Sequence, residues 1–398
     1  MYFTFVYFTL FFTLKLTSVA FTSTKLVRRI GGGKSYLQML RKMATIRKIS
    51  RIVPIPSADF IAVAEVGGWK SVVKKDEFSV GEYAVYVEID AWVPIRFAPF
   101  LQKPGKPPQV YNGIEGERLK TVQMKGQISQ GLILPIKALV LDTLEQSGAI
   151  DPSKPLSEYE NLDVSVPLGI QKWETLSLAS CNLEDFPIFI PKTDQERVQN
   201  LEADLLVWRD RSNLSGFVDS WEVTEKLDGS SMTVFFRDGK VGVCSRNKLI
   251  VDESGDKFYH KAARDLGLAK KIQDAGKNYA VQGELIGPSV QGNKYSLKAL
   301  SFRCFDIFDI DGRRHLTPSE RQEFCREFSI EHVPILFESK ALSETETVES
   351  LLTEAQGPSV VPVGSDKPVE REGLVFKAST GAISFKAISN VFLLKHKC

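Results

Sequence analysis

Cysteine and histidine are both scarce in this chain of 398 residues. The five cysteines, Cys181, Cys244, Cys304, Cys325 and Cys398, are scattered and never stand as C-x-x-C. Such a set builds neither a disulfide framework nor a cysteine-rich zinc site, so reduced thiols are expected. The four histidines, His260, His315, His332 and His396, show neither i, i+4 nor H-E-x-x-H spacing, which argues against a histidine-based metalloenzyme. Long apolar runs are lacking as well. The opening "MYFTFVYFTLFFTLKLTSVA" is short and broken by Lys15, so neither a transmembrane helix nor stable membrane association is expected.

Acid is missing from the first 48 residues, which carry nine basic side chains; the first carboxylate is Asp59. Subtracting those nine from the 51 Lys and Arg leaves 42 against 49 Asp and Glu, a body of about −7. Nucleic-acid binding would therefore need a local basic groove. Residues 1–42 are set apart as a targeting segment, signal-like and then transit-like, or as a gene-model artefact ahead of a true start at Met43. The first reading places the protein in an organelle, plastid or mitochondrion, and the second in the cytoplasm or nucleus.

From Met43 the pattern is one of short strands. "IAVAEVGGWKSVVKK", "GEYAVYVEIDAWVP", "ERLKTVQMKG" and "SQGLILP" alternate apolar and polar residues between Gly and Pro, which predicts a small OB-like β-barrel over 43–140. A proline-bearing connector is expected over 141–185 and a larger α+β domain over 186–398. In that domain Thr193 with Glu196, Thr317 with Glu320 and Ser343 with Glu346 have capping-box spacing, so each predicts a helix start, the second with Pro318 at its first position. "DSWEVTEK", "NYAVQGELIG" and "LSFRCFDIFDIDG" read as strands. "MTVFFRDGKVGVCSR" reads as a hairpin turning at Asp238-Gly239.

The stretch "EKLDG" places Lys226, Asp228 and Gly229 as K-x-D-G at a strand end. Alone it is modest evidence, because average residue usage yields such a match by chance in roughly one chain in ten of this length. Arg246, Glu284, Phe305, Glu372, Lys377 and Lys386 follow on or beside further predicted strands, whose ends can converge on one cleft.

In that order these residues match motifs I, Ia, III, IIIa, IV and V of the covalent nucleotidyltransferases, the ligases and capping enzymes. Over residues 43–398 the chain most resembles ATP-dependent RNA ligases of the Deinococcus type, which set an OB domain before the nucleotidyltransferase domain. "IPSADFIAVAEVGGWKSVV", "SQGL" and "KTDQERVQN" share that likeness. The fold implied is α+β: the barrel, then an adenylyltransferase domain (ATP-grasp-like nucleotidyltransferase) of antiparallel sheets with helices.

The resemblance implies that Lys226 is the nucleophile, forming a lysyl-AMP from ATP with Mg2+ or Mn2+. Glu284 and Glu372, with Asp228, would hold the cation through its waters. Glu225 and Arg246 would contact the nucleoside, and Phe305 would stack on adenine. Lys377 and Lys386 would bind the α-phosphate; relatives often carry K-x-K in motif V, but Ile388 stands at the second position here. Lys192 and Arg197, flanking the expected helix start at Thr193, are candidates for the β- and γ-phosphates. The partner implied is RNA, a nicked duplex or broken ends, held on the barrel by groups such as Trp69, Lys70, Lys74, Arg118 and Lys125. Two other readings compete. One is a DNA ligase, disfavoured because only twelve residues follow Lys386, where such enzymes place an OB domain. The other is a non-catalytic RNA-binding protein derived from a ligase, against which the intact Lys226 argues.

Overall fold

The computed structural model describes residues 41–56, 58–102, 104–174, 183–213, 215–251, 258–361 and 368–396. The expected targeting segment lies outside the described residues up to position 40.

In the barrel, Tyr83–Val87 runs between Ala44–Lys48 and Leu132–Pro135, antiparallel to both. Arg51–Pro54, Ile61–Val66 and Trp69–Lys74 form a meander, and Ala91–Pro94 pairs with Ile114–Arg118. Side chains alternate along a strand, so Tyr83–Val87 divides two cores. Val85 and Val87 face one, Ala84 and Tyr86 the other. The first core is completed by Leu144, Ile150, Val164, Leu168 and Ile170. That stretch was expected as a connector, but it supplies apolar packing to the barrel and is tied down where Ser165 Oγ accepts the amides of Met43 and Ala44 at 3.0 and 2.9 Å.

The larger domain holds two sheets. A five-stranded sheet runs in the order Glu196–Arg197, Ser384–Ile388, Gly373–Ala378, Trp221–Lys226, Ile335–Lys340. A seven-stranded sheet centres on Ser230–Arg237, Tyr279–Ile286 and Ser301–Asp309. On one face of the first sheet Trp221, Val223, Leu374, Phe376, Phe385 and Ala387 pack against the helices Glu202–Arg209 and Val348–Glu354. The period-2 pattern then sends Glu222, Lys226, Lys377 and Lys386 to the opposite face. That face meets the second sheet where Lys377 Nζ reaches the Phe305 carbonyl and the Asp306 carboxylate, both at 2.7 Å.

Local signals succeed where nothing larger competes. The hairpin turns at Asp238 and Gly239 with φ of 50° and 79°, as a two-residue loop demands. Thr317 caps Pro318–Glu327 with a complete capping box. The other two starts shift. The helix expected at Ser343 begins at Val348 under a Thr347–Ser350 box, while the Ser343 hydroxyl lies 3.2 Å from that of Thr345. The helix expected at Thr193 does not form there, because Glu196–Arg197 is drawn into parallel pairing with Phe385–Lys386, and the helix starts at Glu202. Sheet pairing overrides the local cap.

Between the sheets Glu222 and Arg321 form an ion pair, each side chain about 1% exposed. Gln322 donates to Glu222 at 2.7 Å, and Arg321 Nε donates to His332 Nε2 at 2.8 Å. Burial and the Arg321 charge push the imidazole down to about 4, in keeping with a neutral ring that accepts this bond. Replacing Arg321 by Met strands a buried carboxylate and is expected to cost about 3–5 kcal/mol in urea unfolding; pairing it with Glu222→Gln recovers much of that loss. The Glu320 carboxyl, bonded first by Arg314 and then by the Thr317 amide, is pulled down to about 2. Its folded value lies below its unfolded one, so its contribution is full above pH 4.5 and lost as pH falls toward 2. Glu320→Gln should therefore lower the melting temperature at pH 7 by an amount that vanishes near pH 2.

Candidate active site

Lys226 ends a strand of the five-stranded sheet, and Ser230 begins one of the seven-stranded sheet. The three residues between them cross from one sheet to the other. Leu227 anchors the crossing in an apolar cluster with Ile286, Tyr295, Val333 and Val361. The Asp228 amide donates to Tyr295 Oη at 2.9 Å, and the Gly229 amide to Glu284 Oε1 at 3.0 Å. A Cβ on Gly229 would strike the Leu285 carbonyl oxygen, so the crossing passes too close to its neighbour strand for any other residue. The spacing K-x-D-G thus has a local cause, and it holds the Lys226 amine, a quarter exposed, 2.7 Å from Glu372 Oε2.

The expected carboxylates surround this amine without merging. Desolvation, aided by the negative charge of Glu372, pushes Glu284 up to about 7 against the pull of Lys226 and Arg246. Asp228 is paired with Lys294. Among the described residues no three Asp, Glu, His or Cys side chains stand close enough to ligate an ion directly. An excess of hard oxygen donors, one of them already driven toward protonation, fits a divalent cation bound through water.

Two lysines on this sheet face are buried, each with its own acid. Lys377 reaches Asp306. Lys386, pushed down to about 7 mainly by burial, donates to Asp194 Oδ1 at 2.7 Å. Asp194 also receives Lys172 at 2.7 Å and Arg246 at 3.2 Å. Burial would raise the Asp194 carboxyl, but Lys386, Arg246 and Lys172 together hold it far below the ordinary range. Lys377 therefore does not stand beside Lys386 as a second arm on the same acid. Ile388, the departure in motif V, packs against Trp69, Tyr86 and Leu393, where a charge would be stranded in apolar surroundings.

The remaining expected residues are divided. Phe305 is half-buried against the Leu227–Tyr295 cluster, and Glu225 accepts the Val360 amide at 2.9 Å while its Oε1 has no hydrogen-bond partner among the described residues. Burial raises the Glu225 carboxyl above its usual value. Lys192 lines a cleft of about 220 Å³ with Asp194, Asp306, His315, Lys377 and Ser384. No helix starts at Thr193: Lys192 stands on irregular chain, and Arg197 precedes only the single 3-10 turn Val198–Asn200. Arg197 is instead buried next to Lys386, its Nε and Nη1 without a hydrogen-bond partner among the described residues. On the barrel, Trp69 is a core residue, 1% exposed, bonded to Asn200 at 2.7 Å, so it is not a surface group. Arg118 pairs with Asp90 and lies over the Trp173 ring, and Lys70 faces Glu349. Lys74 and Lys125 are exposed. Lys172, Asp194, Lys294 and Tyr295 also belong to the site, and none carries a local motif, although Asp194 falls within the capping-box spacing of Thr193 and Glu196.

Comparison with known proteins fits this geometry. A family model described as RNA ligase matches residues 219–392, and one described as an OB-fold domain matches 43–136. Comparison with curated sequences gives no match. Among solved structures, the Naegleria gruberi RNA ligase with PPi is 40% identical at a TM-score of 0.75, covering 90% of this chain and 99% of that one. A variant of the same enzyme with ATP and Mn is 40% identical at a TM-score of 0.74, covering 90% and 100%. A variant with AMP and Mn is 40% identical at 0.75, covering 90% and 99%. With an OB-fold domain ahead of a nucleotidyltransferase domain, and likeness along nearly the whole of a known enzyme, the chain belongs to the RNA ligase family.

Proposed function

We propose that the chain seals RNA with ATP in three steps through a lysyl-AMP, in the manner of the Deinococcus-type enzymes. The observation that carries this reading is the position of Lys226, locked at the sheet crossing with its amine against Glu372, on the same sheet face as Lys377 and Lys386. Attack needs the amine's lone pair, and Glu372 is the acceptor within reach of its proton. The nitrogen then bonds to the α-phosphorus as the bond to the β-phosphate oxygen breaks and pyrophosphate leaves. In the second step an RNA 5′-phosphate takes AMP from Lys226, and in the third a 3′-hydroxyl displaces AMP to form the phosphodiester.

Phe305 offers adenine an aromatic wall, and the buried Glu225 carboxylate, beside Val360, suits an exocyclic amino group. Glu284, Glu372 and Asp228 would hold Mg2+ or Mn2+ through its waters; when bound, the cation supplies positive charge to the α-phosphate and to the departing pyrophosphate. ATP, AMP, PPi and Mn all occur in complexes of the Naegleria enzyme, which supports the nucleotide and the divalent metal. RNA with a nick or broken ends would lie along the barrel, where Lys74 and Lys125 offer exposed charge for its phosphates. Repair of broken RNA is the proposed role, in an organelle if residues 1–42 are translated and in the cytoplasm or nucleus if translation starts at Met43.

Incubating the full chain with α-labelled ATP and Mg2+ should place acid-labile label on the denatured protein, and added pyrophosphate should remove it. Lys226→Ala should reduce the label to background. Equal labelling of both, or none on folded protein, would sink the nucleophile and leave the non-catalytic RNA-binding reading.

A further inference from the structure

Three cations from three separate parts of the fold converge on one carboxylate. Lys172 belongs to Gln171–Lys172, which pairs with Ala91–Pro94 of the barrel. Arg246 follows Lys240–Cys244 in the seven-stranded sheet, and Lys386 sits in the five-stranded one. All three reach Asp194, at 2.7, 3.2 and 2.7 Å. We propose that Lys172 is a further arm of the ATP polyphosphate site, supplied from the barrel side, and that Asp194 occupies this cradle until the phosphates of ATP displace it. The inference rests on the ATP reading above and adds to it one binding residue and one internal competitor.

The charges support an anion richer than a carboxylate. Asp194 and Glu174, the latter 3.7 Å from Lys172, set two carboxylates against the three cations, and Arg197, next to Lys386 and paired with Asp90 through Nη2, keeps its buried Nε and Nη1 without a hydrogen-bond partner among the described residues. A polyphosphate brings more oxygens and more negative charge to the same donors. Space and freedom are also present. Asp194 borders the cleft of about 220 Å³ that Lys192 and Lys377 line as well. Residues 191–195 belong to no helix or strand, so the carboxylate can swing away without breaking a backbone ladder. Lys386 and Arg246 are residues that sequence resemblance assigns to the nucleotide, so Asp194 binds the groups that ATP would use.

The two roles predict opposite effects. In the full chain carrying Lys226→Ala, which prevents turnover, binding of ATP and of inorganic tripolyphosphate is measured by titration calorimetry. Adding Asp194→Asn should tighten both ligands about tenfold, the equivalent of one charge-assisted hydrogen bond, and adding Lys172→Gln should weaken both by a similar factor. Adenosine, which has no phosphate, should bind all three proteins alike. If Asp194→Asn lowers stability, tripolyphosphate should raise its melting temperature more than that of the parent. A merely structural ion cluster predicts that neither substitution strengthens anion binding, so unchanged or weaker binding by Asp194→Asn overturns the competitor, and unchanged binding by Lys172→Gln overturns the added arm. If the folded parent binds neither ATP nor tripolyphosphate, the ATP reading itself fails, and the inference with it.

Discussion

The site depends on how little chain joins its two sheets. Four peptide steps from Lys226 to Ser230 reach at most about 14 Å, and stacked sheets lie about 10 Å apart, so the crossing has little slack. Leu227 anchors its middle from the core side, while Tyr295 and Glu284 hold the next two amides. A lysine placed one residue before such a link cannot wander. This matters for a side chain with many rotamers, whose ordering would otherwise oppose any reaction at its tip. The same crossing excludes a side chain at Gly229, so the motif reports the separation of the sheets as much as it reports chemistry.

Burying cations in the cleft creates a second constraint. Lys377 and Lys386 are each less than 10% exposed at the side chain, and burial lowers the pKa of both. Asp306 and Asp194 offset that penalty, and each acid is held far below its usual range by the lysine it meets. The two pairs differ in kind. Asp306 lies within the strand Ser301–Asp309, fixed by its ladder, whereas Asp194 lies on irregular chain. A ligand can exchange with the second far more easily than with the first. The contrast separates Lys377, whose acid stands on a paired strand, from Lys386, whose acid stands on irregular chain.

Much of this architecture is legible in the sequence because the strands are short and regularly punctuated. The barrel, the Asp238-Gly239 hairpin and the Thr317 cap all follow from local rules that no tertiary contact contradicts. Failures occur where a residue answers to a distant partner. Glu196 and Arg197 look like the first turn of a helix until Phe385 and Lys386 pair with them. Trp69 reads as a surface aromatic on a lysine-bearing strand, yet Asn200, 131 residues away, takes its indole N–H and the barrel core takes its ring. Lys172 and Lys294 carry no local signal at all, since a lone lysine in a polar stretch looks the same whether solvated or paired. The lysines that match family motifs share one face of a sheet, as period-2 alternation predicts, whereas Asp194, the acid that pairs with Lys386, is set by tertiary contact alone.

Ile388 shows why the barrel belongs to this site. On the strand Ser384–Ile388, Lys386 and Ile388 lie two residues apart and share a face. Lys386 reaches Asp194 in the cleft, while Ile388 packs among Trp69, Tyr86 and Ile133 of the barrel. The chain then enters Asn390–His396, whose Leu393 joins that cluster and whose Asn390 accepts from Gln130 at 3.1 Å. Ile388 is therefore an apolar bolt to the barrel, and the strand's position is set from both ends. Lys172 adds the reverse link, a barrel-paired residue reaching into the cleft. Anything that shifts the barrel against the strand Ser384–Ile388 must move Lys386 or break the Ile388 packing. The Lys386 side chain and the barrel core are consequently mechanically linked through the strand Ser384–Ile388.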